Sequence, residues 1–502
     1  MLKRQPQKDY QPVTRSRSQR VSETGNVLAG KWPVGPETAR PDGKREPVRR
    51  ESTASLRWDA LDQNTATATL LKHGHVFSYA ALFVFTFILY ARPAEFYPSP
   101  LTASIALVVG IATLGFFIPT QLSLEGTLTA RPREVNLVLL FCLTGLLSIP
   151  LAINRQVAWA EFSGTFIRCV VIFVVIINVV RTEARLKGLL FLALASAIWL
   201  SGEAINDYRL GLMTVEGYRA AGRGTGIFGN TNDMALHLVT ILPISVALLF
   251  GSKGIARKLL YGACAAVMIS AIVLSYSRGA FLGMVVVLLF IALKLGRSRR
   301  VEIVLAVLGF AAAIVVLAPD KYGSRLLSIV IPSLDPEGSA DSRRGELFRS
   351  IYIALRHPLL GIGMGNYQPE MSHRGLVTHN SYTQVASEMG MTALACYTMF
   401  IVTPLKKLAQ IGRETFETRR DSRFFYLALG LQASLIAYLV SSLFLSVAYV
   451  WYIFYLVGYA VCLRRLYESE TGKAVVPEKR KNRKRAEIAE ASLISDSKVA
   501  VT

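Results

Sequence analysis

Charged side chains are scarce in this sequence, 18% of 502 residues against 52% that are hydrophobic. Soluble domains average about 25% charged and about 45–50% apolar residues, so the balance excludes a soluble enzyme. Acids are the scarcer sign, 34 Asp and Glu against 56 Lys and Arg, for a net charge of +22. The five cysteines (Cys142, Cys169, Cys264, Cys396, Cys462) all fall in long apolar runs without metal-ligand spacing. That excludes a secreted disulfide scaffold and reads them as small core residues. No charged-then-apolar leader opens the chain, so no cleaved signal peptide is expected. The positive charge is concentrated at the ends: residues 1–75 carry 14 basic side chains and residues 464–502 carry 10. A simple nucleic-acid-binding domain does not look like this.

What the chain does have is apolar length. About 20 mostly apolar residues cross a bilayer as a helix, and the sequence offers about twelve such runs between residues 76 and 463. The expected fold is an all-α polytopic membrane protein with both tails on one side. Residues 1–75 read as a disordered basic tail, 76–463 as the membrane domain and 464–502 as a second basic tail. The run Glu478–Arg485 reads as a solvated anchor near anionic headgroups. Basic residues accumulate on the cytoplasmic side of membrane proteins. With both tails inside, 42 basic residues lie inside, 13 lie outside, and Arg168 falls within a span. The 42 serve topology, so the 13 exceptions are informative.

Three outer segments hold most of them. The segment 206–233 places Arg209, Arg219 and Arg223 among glycines that include Gly217, Gly222, Gly224, Gly226 and Gly229, a composition suited to cradling an anion and equally to a flexible loop. It returns to a helix at Thr231-Asn232-Asp233, where Asn or Asp is expected to cap. The hairpin Ser275–Ala280 carries Arg278 between two apolar runs; a guanidinium there is a functional candidate unless it snorkels. The segment 319–380 is the longest. In it Leu347, Ile351, Ala354 and Leu355 recur at helical spacing, with Arg349 and Arg356 off that face. A Pro and Gly turn, Pro358–Gly365, ends the helix, and Thr378-His379-Asn380-Ser381-Tyr382 leads into the next span. Histidine is the one side chain whose ordinary pKa suits proton transfer near neutrality. At a helix mouth it is also a common interfacial residue.

The order of these pieces resembles the O-antigen ligase and O-antigen polymerase family of bacterial envelope glycosyltransferases. The matching residues are Arg223-Gly-Thr-Gly-Ile-Phe-Gly-Asn-Thr-Asn232, Ser277-Arg278-Gly-Ala, Arg344 upstream of His357-Pro-Leu-Leu-Gly-Ile-Gly-Met-Gly365, His379-Asn380-Ser-Tyr, and Glu388-Met-Gly390. The family often has Asn-Pro-Asn where this chain has Asn230-Thr231-Asn232. The resemblance implies an inner-membrane enzyme with its site and its large loop, 319–380, facing the periplasm. It implies glycan transfer from an undecaprenyl-diphosphate carrier, with inversion, no metal and no cofactor. The acceptor would be lipid A core for a ligase or a second lipid-linked glycan for a polymerase, and the motifs lean slightly to the ligase.

Against that task, Arg223 and Arg278 are the first choices to stabilise the leaving diphosphate, with Arg219 and Arg344 behind them. His379 is the candidate base for the acceptor hydroxyl. Asn380 or Tyr382 would orient the ring or the acceptor, and Glu388 reads as a buried structural partner. Membrane lipid is an expected neighbour. No nucleic acid is implied and no protein partner can be inferred. The rival of another class is a membrane transporter such as a bicarbonate carrier, since twelve spans is also a carrier topology. Polar features gathered at the outer rim, without repeated halves, speak against it.

Overall fold

A computed structural model describes residues 74–213, 218–220, 227–296, 300–318, 322–328, 331, 338–419 and 422–472. The basic tails up to residue 73 and from 473 onward, and Arg223 with its neighbours 221–226, lie outside the described residues. The described chain is built of helices: α1 (Val76–Ala91), α2 (Pro100–Glu125), α3 (Arg133–Ser148), α4 (Arg155–Val179), α5 (Glu183–Arg209), α6 (Thr231–Gly251) and α7 (Ile255–Leu274). There follow α8 (Arg278–Leu295), α9 (Arg300–Leu317), α10 (Tyr322–Leu327), α11 (Ser339–Arg356), α12 (Ser381–Glu414), α13 (Arg423–Ser441) and α14 (Trp451–Thr471).

Ten helices among the described residues are long and apolar enough to cross a membrane. Helices stand at each of the twelve expected places, and two fall short of that measure for separate reasons. Helix α3 has 16 residues, about 24 Å at 1.5 Å per residue, below the roughly 30 Å of hydrocarbon. Helix α14 has 21 residues but carries tyrosines and arginines and is buried nearly all round. It is a central helix of the bundle.

Burial sorts the helices. α6, α13 and α14 form the centre, with α6 packed on α13 and α13 on α14. α2 and α9 bury only 11% and 6% of their apolar stretch, so their side chains meet lipid rather than protein. At the end of the bundle where α3 begins and α14 ends, Glu134 is fully buried and accepts two bonds from Arg464, at 2.6 and 3.1 Å. The fork of the guanidinium matches the carboxylate, which is what makes an ion pair inside a bundle tolerable.

One expectation is corrected. In α11 the inward face is Glu346, Ser350, Ile353 and Ala354, while Ile351 and Leu355 point outward. The polar positions can face in because partners await them: Tyr367 Oη donates to Glu346 Oε2 at 2.7 Å and Ser372 Oγ to Oε1 at 3.1 Å. Arg349, expected off the packed face, donates to the Met371 carbonyl at 3.0 Å.

Candidate active site

The turn between α7 and α8 is held by arginines from two other segments. The last carbonyls of a helix lack intrahelical partners and carry its negative dipole end. Here Arg219 Nε donates to the Ser275 carbonyl at 2.9 Å and Arg325 Nε to the Tyr276 carbonyl at 3.2 Å. Tyr276 itself sits at φ 53°, the left-handed region that a non-glycine residue rarely occupies, so the two donors secure a strained turn. Arg219 also reaches Asn232 Oδ1 at 2.9 Å. Asn232 and Asp233 already lie within the first turn of α6, and Asn230 caps it, accepting from the Asn232 amide at 2.9 Å. Arg325 bonds the Tyr218 hydroxyl. The Tyr218 and Tyr322 rings flank Tyr276 edge-on at 5.1 and 5.3 Å.

Arg278 is the first residue of α8 and only 5% exposed. Its position adds its charge to the positive dipole end of that helix. Arg219 is equally enclosed, at 2%, and Arg325 joins them at 5%. Three guanidiniums therefore stand around one turn. Sequence reasoning named two of them and missed Arg325, which lies in no motif; its only signal was membership among the outer basic residues.

The second element is a glycine-rich wedge. Helix α12 is broken at Gly390, whose φ is 84°, and the segment Pro358–Gly363 fills the break. Met391 N donates to the Pro358 carbonyl at 2.7 Å, Ile362 N to Ser387 O at 3.0 Å, and Gly363 N to Glu388 O at 2.9 Å. A Cβ on Gly390 would overlap the Leu359 carbonyl, and one on Gly361 would overlap the Glu388 backbone. Only glycine permits this backbone contact. Glu388 is buried as expected, its Oε1 accepting from Tyr367 N at 3.2 Å. The 362–366 stretch of this wedge also braces the 153–154 turn, through Ile153 N to Ile362 O at 3.1 Å and Asn154 N to Asn366 Oδ1 at 2.7 Å.

His379 stands just before α12 with φ 51°, again left-handed, and is partly buried. Burial, then the charge of Arg343, pushes its pKa down to about 4, against an opposing pull from Glu346. It is therefore neutral through the physiological range. Arg343 is the α11 arginine whose charge reaches it. Arg344 is exposed and lies 5.8 Å from the Phe348 ring centre. Asn380 caps α12, accepting from Tyr382 N at 2.9 Å and Thr383 N at 3.1 Å, and its amide donates to Leu443 O at 3.2 Å. Tyr382 Oη donates to Leu439 O at 3.0 Å. Both side chains are thus engaged in fixing the helix mouth.

The connector from Ser441 to Ser446 joins the elements. Ser441 Oγ donates to Gly279 O at 3.2 Å, and Phe444 lies against Gly279 so closely that a Cβ there would clash. On its other side, Asn380 bonds Leu443 and Thr378 Oγ1 lies 2.7 Å from Ser446 Oγ. The residues next to Arg278 and the residues next to His379, about a hundred positions apart, share this one support. Sequence reasoning did not find the connector, because it carries no charge and no motif.

The arrangement offers fixed positive charge on one segment and a neutral imidazole on the other, at the same end of the bundle. Among the described residues, no three His, Cys, Asp or Glu side chains cluster to hold a metal ion. No curated protein matches the chain. Residues 263–398 match the family model described as O-antigen ligase. That match runs from α7 through α12, and the segment carrying Arg278, Arg325, the glycine wedge and His379 is a domain of the O-antigen ligase family.

Proposed function

We propose that this protein is a glycosyltransferase that moves a glycan from an undecaprenyl-diphosphate-linked donor to an acceptor at the periplasmic face of the inner membrane. The observation that carries the reading is the shared connector, which brings the Arg278 turn and the His379 turn together. Residues 76–463 form the working unit. Family membership of the central segment favours glycan transfer over solute transport.

In the proposed step the acceptor hydroxyl attacks the anomeric carbon from the side opposite the diphosphate. The new glycosidic bond forms as the bond to the phosphate oxygen breaks, inverting the centre. The leaving diphosphate gains negative charge, which Arg278 and Arg223 are assigned to stabilise, while Arg219, held by the Ser275 carbonyl and Asn232, adds its charge from behind the turn, without a metal. His379 takes the acceptor proton, a contribution of about 10²–10⁴-fold for a placed base. Its lowered pKa keeps it ready to accept. Asn380 and Tyr382 position His379 through the backbone they hold, and Arg344 is assigned no contact with the donor. Lipid A core is the preferred acceptor, as for a ligase.

The test is transfer by the purified full chain, given lipid-diphosphate donor, lipid A core and excess chelator. His379→Ala and Arg278→Ala are expected to abolish product without loss of expression. Full activity in either variant overturns its role. Product built on the lipid carrier instead of the core identifies a polymerase.

A further inference from the structure

Helix α11 turns an apolar stripe away from the bundle. Phe348, Ile351, Tyr352 and Leu355 on the helix are exposed, and so is Leu359 just beyond it, Leu355 at 72% and Leu359 at 76%. They recur at helical spacing and so form one surface, of a kind that a helix bathed in water rarely shows. The stripe is graded along the helix. Its first exposed positions are Asp341, Arg344 and Gly345, and apolar side chains take over only towards Leu359.

Two rulers give the depth of the apolar end. The segment after it is bonded into the break of α12, with Met391 N donating to the Pro358 carbonyl at 2.7 Å. Sixteen positions separate Gly390 from Lys406, the first basic residue of α12 and an exposed one, about 24 Å of helix. Hydrocarbon is roughly 30 Å thick, so a bilayer with its far edge at Lys406 extends about 6 Å beyond the wedge. Helix α3 gives the same depth. Its 16 residues begin at Arg133 and rise about 24 Å, and Ile153, shortly after its end, donates to the Ile362 carbonyl at 3.1 Å. The start of α11 stands higher, since the charge of Arg343 acts on His379 at the mouth of α12. The helix therefore slopes from that mouth down to the wedge, the direction in which its stripe turns apolar.

The arginines mark the level between. Arg344 lies 5.8 Å from the Phe348 ring centre and Arg356 lies 5.0 Å from that of Tyr352. Arg344 thus reaches forward along the helix and Arg356 reaches back, and the two charges converge on the middle of the stripe. Aromatic rings and snorkelling cations gather where headgroups meet acyl chains. Down the slope the order is polar, then cationic and aromatic, then aliphatic. A phospholipid leaflet presents water, phosphate and acyl chain in that order, and the phosphates complement the arginines.

We infer that α11 is seated in the lipid leaflet at the His379 end of the bundle, with Arg344 and Arg356 at the phosphates of phospholipids and Leu355 and Leu359 among their acyl chains. The inference uses the membrane placement of α3 and α12 and none of the transfer chemistry. It also accounts for the outward turn of Ile351 and Leu355, which face lipid in place of protein.

The full chain is placed singly in nanodiscs of phosphatidylethanolamine and phosphatidylglycerol, without donor or acceptor. A nitroxide is attached to a cysteine introduced by Asp341→Cys, Leu355→Cys or Leu359→Cys, and the unsubstituted chain supplies the background from its own cysteines. Relaxation by oxygen, which concentrates among acyl chains, is compared with relaxation by a water-soluble nickel chelate. Nickel is expected to relax the label at position 341 and to lose its effect at 355 and 359, where oxygen takes over. Equal nickel relaxation at all three positions puts the stripe in water and overturns the inference. Weak relaxation by both agents at 355 and 359 means that protein covers them, a second copy included, and overturns it as well. Helix content checks the folding of each variant; should Leu359→Cys fail to fold, Leu355→Cys against Asp341→Cys decides.

Discussion

The acid limb of the reaction tests the proposed base most directly. His379 has its pKa lowered to about 4 by burial first and Arg343 second. If it is the base, activity tracks its neutral form. At pH 5 a group of pKa about 4 is about 90% neutral, while one at the ordinary value near 6.5 is only about 3% neutral. The structure thus requires about thirtyfold more activity at that pH than an ordinary histidine allows. The assay is the pH dependence of kcat/KM for donor transfer between about pH 4 and 8, with protein integrity checked at each point. Arg343→Gln removes the second cause and leaves the burial, so its limb moves up only part of the way towards the ordinary value. Glu346→Gln moves it the other way. A wild-type limb at or above the ordinary histidine value, or one that ignores Arg343, refutes the reasoning. Stability follows the same sign. The unfolded chain takes the proton first, so the stability linked to His379 is complete above about 6.5 and is lost as pH falls towards about 4.

Three further outcomes follow from packing. Gly390→Ala puts a Cβ into the Leu359 carbonyl at a positive φ; left-handed strain of about 1–2 kcal/mol and overpacking of about 1–3 kcal/mol predict a loss of about 2–5 kcal/mol. Thermal unfolding in detergent reads it, and a wild-type midpoint would count against the wedge. Removing one side of the buried Glu134–Arg464 pair, as in Glu134→Ala, is expected to cost about 3–5 kcal/mol, while the double change Glu134→Leu with Arg464→Leu recovers most of it. No recovery in the double variant contradicts the desolvation argument. Arg325→Ala leaves the Tyr276 carbonyl without its donor, a loss of about 1–3 kcal/mol, and is expected to speed amide exchange over residues 275–278. Arg325→Lys keeps the charge but not the fork, so it should restore only part of the protection; full restoration would mean that charge alone suffices.

Much of the membrane architecture was legible from periodicity and charge, because a helix in lipid must satisfy its own backbone and show an apolar surface. That rule placed helices at the twelve expected positions and marked α11 as a helix. It misjudged which face of α11 packs, since Ile351 and Leu355 turn outward while Glu346 finds Tyr367 and Ser372. Apolar spacing identifies a buried face only where water lies on the other side, and a helix beside a membrane need not obey it.

For the site, residue type and order in the sequence were enough to single out Arg219, Arg278, His379 and the glycines of 361–365. Their chemistry is local: a guanidinium, an imidazole, a residue without a Cβ. What depends on contacts between distant segments was decided only by the fold. Arg325 gains its place from a carbonyl 49 positions away, the charge that acts on the histidine is that of Arg343 while Arg344 lies by the Phe348 ring, and the uncharged connector Ser441–Ser446 unites two turns. Composition determined that this chain lives in a membrane and which side chains can do chemistry; tertiary packing decided which of them meet, because a buried polar group settles wherever a partner can satisfy it.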